Sequence, residues 1–172
     1  MPGWDSYRGV YGAELRAAAR ELLDHGWPVV EASEDTLMLV TGRKLDVLEV
    51  PATIGRGICA QLRAADIVVP VAATPTGSWW YPVTPGAALP AALRGVPGVV
   101  LHGGGAAIAA PPSQVPDGWV HWRVPPAACD YGVAAADLIF SAAATAVALR
   151  VDAEAHPGAQ RPAGVVAVGM RS

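Results

Sequence analysis

The 172 residues carry 12 Lys and Arg against 15 Asp and Glu, a formal net charge of −3, which excludes a chain that coats nucleic acid through bulk positive charge. Hydrophobic residues make up 52% and charged residues 16%, so the sequence is neither disordered nor a coiled coil, and its length suits one core or two small lobes sharing a sheet. Alanine, at 34 residues, joins 19 glycines and 16 prolines to fill two-fifths of the chain, leaving few side chains for chemistry.

In chain order, Tyr11, Leu15, Ala18, Ala19, Leu22 and Leu23 recur at helical spacing and predict a helix over about 11–25, stopped by Gly26. Short strands are expected at Trp27 to Val30 and Leu37 to Val40, separated by the polar Ser33-Glu34-Asp35 turn. Thr41 to Lys44 makes a further turn before a strand at Leu45 to Val50, which Pro51 ends while opening a helix over Ala52 to Ala65. Ile67 to Ala73 and Trp79 to Val83 read as a hairpin around Thr74-Pro75-Thr76-Gly77, followed by a short helix near Ala88 to Leu93. Val99 to Leu101, the glycines Gly103 to Gly105 and Ala107 to Ala110 read as strand, hairpin turn and strand, and Val120 to Val124 completes a β-rich middle. Val133 to Arg150 is an alanine-rich helix, so residues 1–150 form a single domain, with 151–172 a tail or edge strand built on Val165 to Val168. Helices mixed with hairpin-connected strands predict an α+β fold with a mixed or antiparallel sheet rather than a doubly wound parallel one.

Cys59 and Cys129 lie outside any CxxC motif, and Met1 to Asp5 lacks the basic and apolar regions of a signal peptide, so a reduced, cytoplasmic setting is expected. The segment Gly132 to Leu149 holds Asp137 among its alanines, which predicts a buried helix or a homodimer seam and no membrane span.

Three stretches, in order, resemble the N-terminal primase/polymerase domain of bifunctional replication proteins, a branch of the archaeo-eukaryotic primase superfamily. They are Gly26-Trp27-Pro28-Val29, Leu45 to Pro51 after Thr41-Gly42, and Thr74-Pro75-Thr76-Gly77 followed by Val99 to Ser113, with Ala110-Pro111-Pro112-Ser113, Pro116-Asp117-Gly118 and Trp122 closing the match. The resemblance covers about residues 12–126 and implies a primase/polymerase-like fold with an RRM-like catalytic module. It also implies two-metal nucleotidyl transfer in DNA replication, in which paired strand aspartates, a histidine and a third acid hold Mg or Mn and the incoming phosphates.

This chain departs from that pattern at each position. One alignment puts Glu49 on the first aspartate and Pro51 on the second; the other puts Asp46 on the first and Leu48 on the second. Asp46 and Glu49 cannot form the pair, because an odd separation along a strand sends them to opposite faces. The histidine falls on Trp80 and the third acid on Val100. Indole offers one N–H donor and no metal-ligating lone pair. The resemblance therefore implies the fold, while the departures argue against the reaction and against any metal cofactor. A pseudoenzyme is expected, serving as a nucleotide- or nucleic-acid-binding or regulatory module.

Remaining polar groups are ordinary. Arg43, Lys44, His102 and Arg123 are candidates for a phosphate-binding surface, and Trp79 or Trp80 for a base-stacking platform, although one of two adjacent strand tryptophans must face the core. Asp46 and Glu49 read as remnants of a metal site or as solvated or paired strand-end carboxylates, His102 and His121 as a metal pair short of a third ligand, and Ser113 as a turn or cap residue. The candidate partners are nucleotides, single-stranded nucleic acid, or a second copy through helix 133–150. Two alternatives differ in class: an active nucleotidyltransferase using Asp46, Glu49, Asp66 or Asp130 with Mg or Mn, and a structural interaction module whose cleft is filled by Trp79 or Trp80.

Overall fold

The computed structural model describes residues 4–155; the strand expected at Val165 to Val168 lies outside them. The chain runs α1 (Trp4–Asp24), β1 (Val29–Glu31), β2 (Leu37–Val40), β3 (Asp46–Pro51), α2 (Ala52–Ala64), β4 (Val71–Ala73) and β5 (Ser78–Val83). It continues through β6 (Val100–His102), β7 (Ala107–Ala110), β8 (Gln114–Val115), β9 (Gly118–Trp119), β10 (His121–Val124), a 3-10 turn (Pro126–Cys129) and α3 (Ala136–Ala155). A five-stranded sheet in the order β10-β4-β5-β3-β6 stands beside a three-stranded sheet, β1-β2-β7, and both are antiparallel throughout. This is the α+β architecture read from the sequence.

Strand alternation explains how one sheet supports two cores. Leu48 and Val50 of β3, with Trp79 and Tyr81 of β5, join Ile54, Ile58, Ile139 and Phe140 beneath α2 and α3. Their neighbours Val47 and Trp80 turn to the other face, where Leu15 and Leu22 of α1 and Leu37, Leu39 and Ile108 of the small sheet cover them. Because the central strands are covered on both faces, Leu45, Val47, Leu48 and Val50 are all buried, and the sequence segment Leu45 to Val50 alternates poorly for that reason.

Alanine and glycine set the spacing of the helical layer. A Cβ on Gly57 would lie 2.8 Å from the Cβ of Ala146, and the Gln61 amide donates to the Ala142 carbonyl at 2.9 Å. The alanine-rich α3 can thus approach α2 closely. Ser113, fully buried, donates to the Leu37 carbonyl at 3.0 Å and accepts its N–H at 2.8 Å, pinning the start of β2.

Several expectations need correction. β4 begins only at Val71: Pro70 has no N–H to pair, and Val68 is exposed. No helix forms at Ala88 to Leu93, where Pro90 interrupts the segment and turns take its place. Gly103 to Gly105 is not a hairpin turn, since β6 pairs with β3 and β7 with β2, so the glycines carry the chain from one sheet to the other. Both tryptophans are buried, Trp79 at 7% and Trp80 at 8% exposure, one in each core. α3 starts at Ala136 and continues to Ala155. Among the described residues, no helix is long and apolar enough to cross a membrane.

Candidate functional site

The register of the five-stranded sheet assembles one row across three strands. Glu49 on β3 stands opposite Trp80 on β5 and opposite Val100 on β6. Pro51, two residues on, pairs with Ser78, and Val47, two residues back, pairs with His102. All these positions share the face of Val47, because residues two apart on a strand point the same way. Leu48, by contrast, is fully buried under the helices. The row that holds Glu49 is therefore also the row that holds Trp80 and Val100.

Its only close polar pair is Glu49 with His102, at 2.7 Å between Oε2 and Nε2, both side chains about a quarter exposed. The imidazole beside it lowers the Glu49 pKa below the ordinary carboxylate value, against partial burial, which raises it; Ser78 and then Trp80 add smaller downward pulls. The Trp80 indole N–H is close enough to act on the carboxylate, yet it meets no acceptor in hydrogen-bonding geometry. Because the folded-state pKa of Glu49 is depressed, its stabilising contribution is present above the ordinary carboxylate value of 4.5 and is lost as pH falls through the lower folded value. Acid unfolding of Glu49→Gln is expected to show a shallower loss of stability below about pH 4.5 than wild type. Parallel acid limbs, followed by tryptophan fluorescence, would contradict this.

The other candidates do not converge on this row. Asp46, 4% exposed, is not solvated: its Oδ2 accepts the Gly86 N–H at 2.9 Å, and its Oδ1 is buried without a partner. Arg123 lies over the Trp79 ring, 4.2 Å from its centroid, on the helix-covered face. Trp79 is thereby covered rather than presented as a platform. His102 and His121 sit on β6 and β10, the two opposite edges of the sheet. Asp66 and Asp130 occupy left-handed turn positions at φ 55° and 49°. Among the described residues, no three of His, Cys, Asp and Glu come together in a way that could hold a metal ion. A pair of divalent ions needs several carboxylate oxygens on one side, whereas this row offers one carboxylate, already paired with an imidazole and flanked by an indole, an isopropyl group and a proline. The residues present do not fit a two-metal centre.

Of the residues proposed for a phosphate-binding surface, Arg43 lines a cavity. With Pro28, Val40, Thr41, Gly42, Gly104 and Gly105 it borders a space of ≈ 290 Å³ between the β2–β3 turn and the glycine crossing. Lys44 is exposed beside it in the chain. The Glu49–His102 pair, 53 residues apart in sequence, was not legible beforehand: each residue was visible as a candidate, but their meeting depends on the β3–β6 register.

A family model described as bifunctional DNA primase/polymerase, N-terminal, matches residues 12–132. No curated protein and no solved structure matches the chain significantly.

Proposed function

The chain belongs to the bifunctional DNA primase/polymerase N-terminal family, and from that premise we propose that it is a primase/polymerase-like domain that has lost nucleotidyl transfer and acts as a nucleotide- or nucleic-acid-binding module in the cytoplasm. The observation that carries this reading is the row Trp80, Glu49, Val100, with Pro51 beside it. Of the two alignments drawn from the sequence, the one setting Glu49 and Pro51 at the paired acids is supported by this geometry, because it alone brings both acid positions, the histidine position and the third acid position onto one face. Three of those four positions then lack a metal-ligating group. The fourth, Glu49, is hydrogen-bonded to His102 at 2.7 Å, so an imidazole stands against the one carboxylate that a metal ion could use.

The test is primer extension and de novo primer synthesis by the purified full chain with Mg or Mn. Wild type and Glu49→Ala are expected to give the same background. Incorporation that is abolished by Glu49→Ala would overturn the proposal in favour of an active, rearranged nucleotidyltransferase.

A further inference from the structure

Three glycines and one arginine around the ≈ 290 Å³ cavity form a cradle rich in donors. The two loops that build it are fastened together: the Thr41 N–H donates to the Ala106 carbonyl at 2.9 Å, and the Thr41 hydroxyl donates to the same oxygen at 3.2 Å. Each loop is held in shape by left-handed backbone, with φ of 100° at Gly42, 64° at Gly104 and 86° at Gly105. Among the described residues, the amide nitrogens of Gly104 and Gly105 find no acceptor. They lie against Gly42: a Cβ built there would stand 2.8 Å from the Gly105 nitrogen and 3.3 Å from that of Gly104. The missing side chain of Gly42 lets its backbone approach those two nitrogens closely, and Arg43 lines the same cavity as all three glycines. The neighbouring carboxylate, Asp46, is buried against Gly103; its Oδ2 accepts the Gly86 N–H and its Oδ1 has no partner.

Unpaired backbone N–H groups converging with a guanidinium recognise an oxyanion, and a tetrahedral phosphate satisfies several donors at once. We propose that Gly42, Arg43, Gly104 and Gly105 form a phosphate-binding site, distinct from the Glu49 row, that takes the phosphate group of a nucleotide without a metal ion. The volume holds one phosphate with part of its hydration, given that a water occupies about 30 Å³ of liquid. The proposal deepens the binding half of the reading above and rests on it, but not on the loss of catalysis.

The experiment is amide chemical-shift mapping of the 15N-labelled full chain during titration with inorganic phosphate and with dAMP, without divalent metal. Saturable shifts at Gly104 and Gly105 are expected with both ligands, with affinity falling at least tenfold in Arg43→Gln, an exposed substitution that leaves both cores intact. Gly42→Ala should abolish the shifts by placing a methyl group in the cradle. If dAMP instead perturbs Trp80 and His102 while both glycines stay still, nucleotide binding survives and this site is wrong. If neither ligand moves any amide, this site is overturned together with the nucleotide arm of the binding reading. An unchanged affinity in Arg43→Gln also overturns the site.

Discussion

Trp80→Ala is expected to lower the unfolding free energy by about 3–5 kcal/mol, a large share of the roughly 5–15 kcal/mol available to a domain of this size. The indole is 8% exposed and packs in the core shared by α1, the small sheet and β3. Removing it leaves a cavity between two layers that meet at no other tryptophan of β5, since Trp79 faces the opposite side. A residue whose purpose was to stack on a ligand would be tolerated far better, because its loss would expose no core. Urea denaturation followed by far-UV circular dichroism measures the difference. A loss under about 1 kcal/mol would mean that the position remains an open surface, and the reading of this row as closed to metal chemistry would fall with it.

Gly55→Ala should also destabilise, by about 1–3 kcal/mol, although alanine is the better helix former by about 0.8–1.0 kcal/mol. The sign follows from contact distance. A Cβ on Gly55 would lie 2.6 Å from Cε3 and 2.8 Å from Cδ2 of Trp79. Neither partner is free to retreat: the Tyr81 hydroxyl donates to the Gly55 carbonyl at 2.7 Å, and Arg123 sits over the same indole. Burial among these groups raises the Tyr81 pKa, so the phenol stays a donor across the working range. The cause can be isolated in a double-mutant cycle with Trp79→Leu, in which the penalty of Gly55→Ala should shrink by at least half. A Gly55→Ala protein more stable than wild type would show that the helix can lift off the sheet.

Local chemistry made much of this architecture readable. Leu37 to Val40 and the start of α2 at Ala52 follow from an apolar run and from Pro51, and both agree with the structure. Such signals are local because β-branched residues and proline act on their own backbone. What failed depended on distant partners. Gly103 to Gly105 looks like any tight turn until the strands on either side are known to pair in different sheets. Asp46 looks like a surface acid until Gly86, forty positions away, supplies its N–H. The candidate site divides the same way. Glu49, Trp80 and Val100 were each legible as departures from the family pattern, whereas the hydrogen bond between Glu49 and His102 required a register no periodicity encodes.

The glycine crossing bears on how the chain can be made. β1 and β2 leave the small sheet unfinished until β7 arrives, with Leu37 paired to Ala110, and β3 to β5 wait for β6 on one edge and β10 on the other. A nascent chain ending before that crossing holds β3, β4 and β5 against α2 but lacks α3, β7 and β10, so both sheets are short of strands and both cores are open on one side. The two sheets therefore close only after β7 and β10 have followed the crossing, and shortening the chain upstream of β10 should yield aggregates rather than a smaller domain.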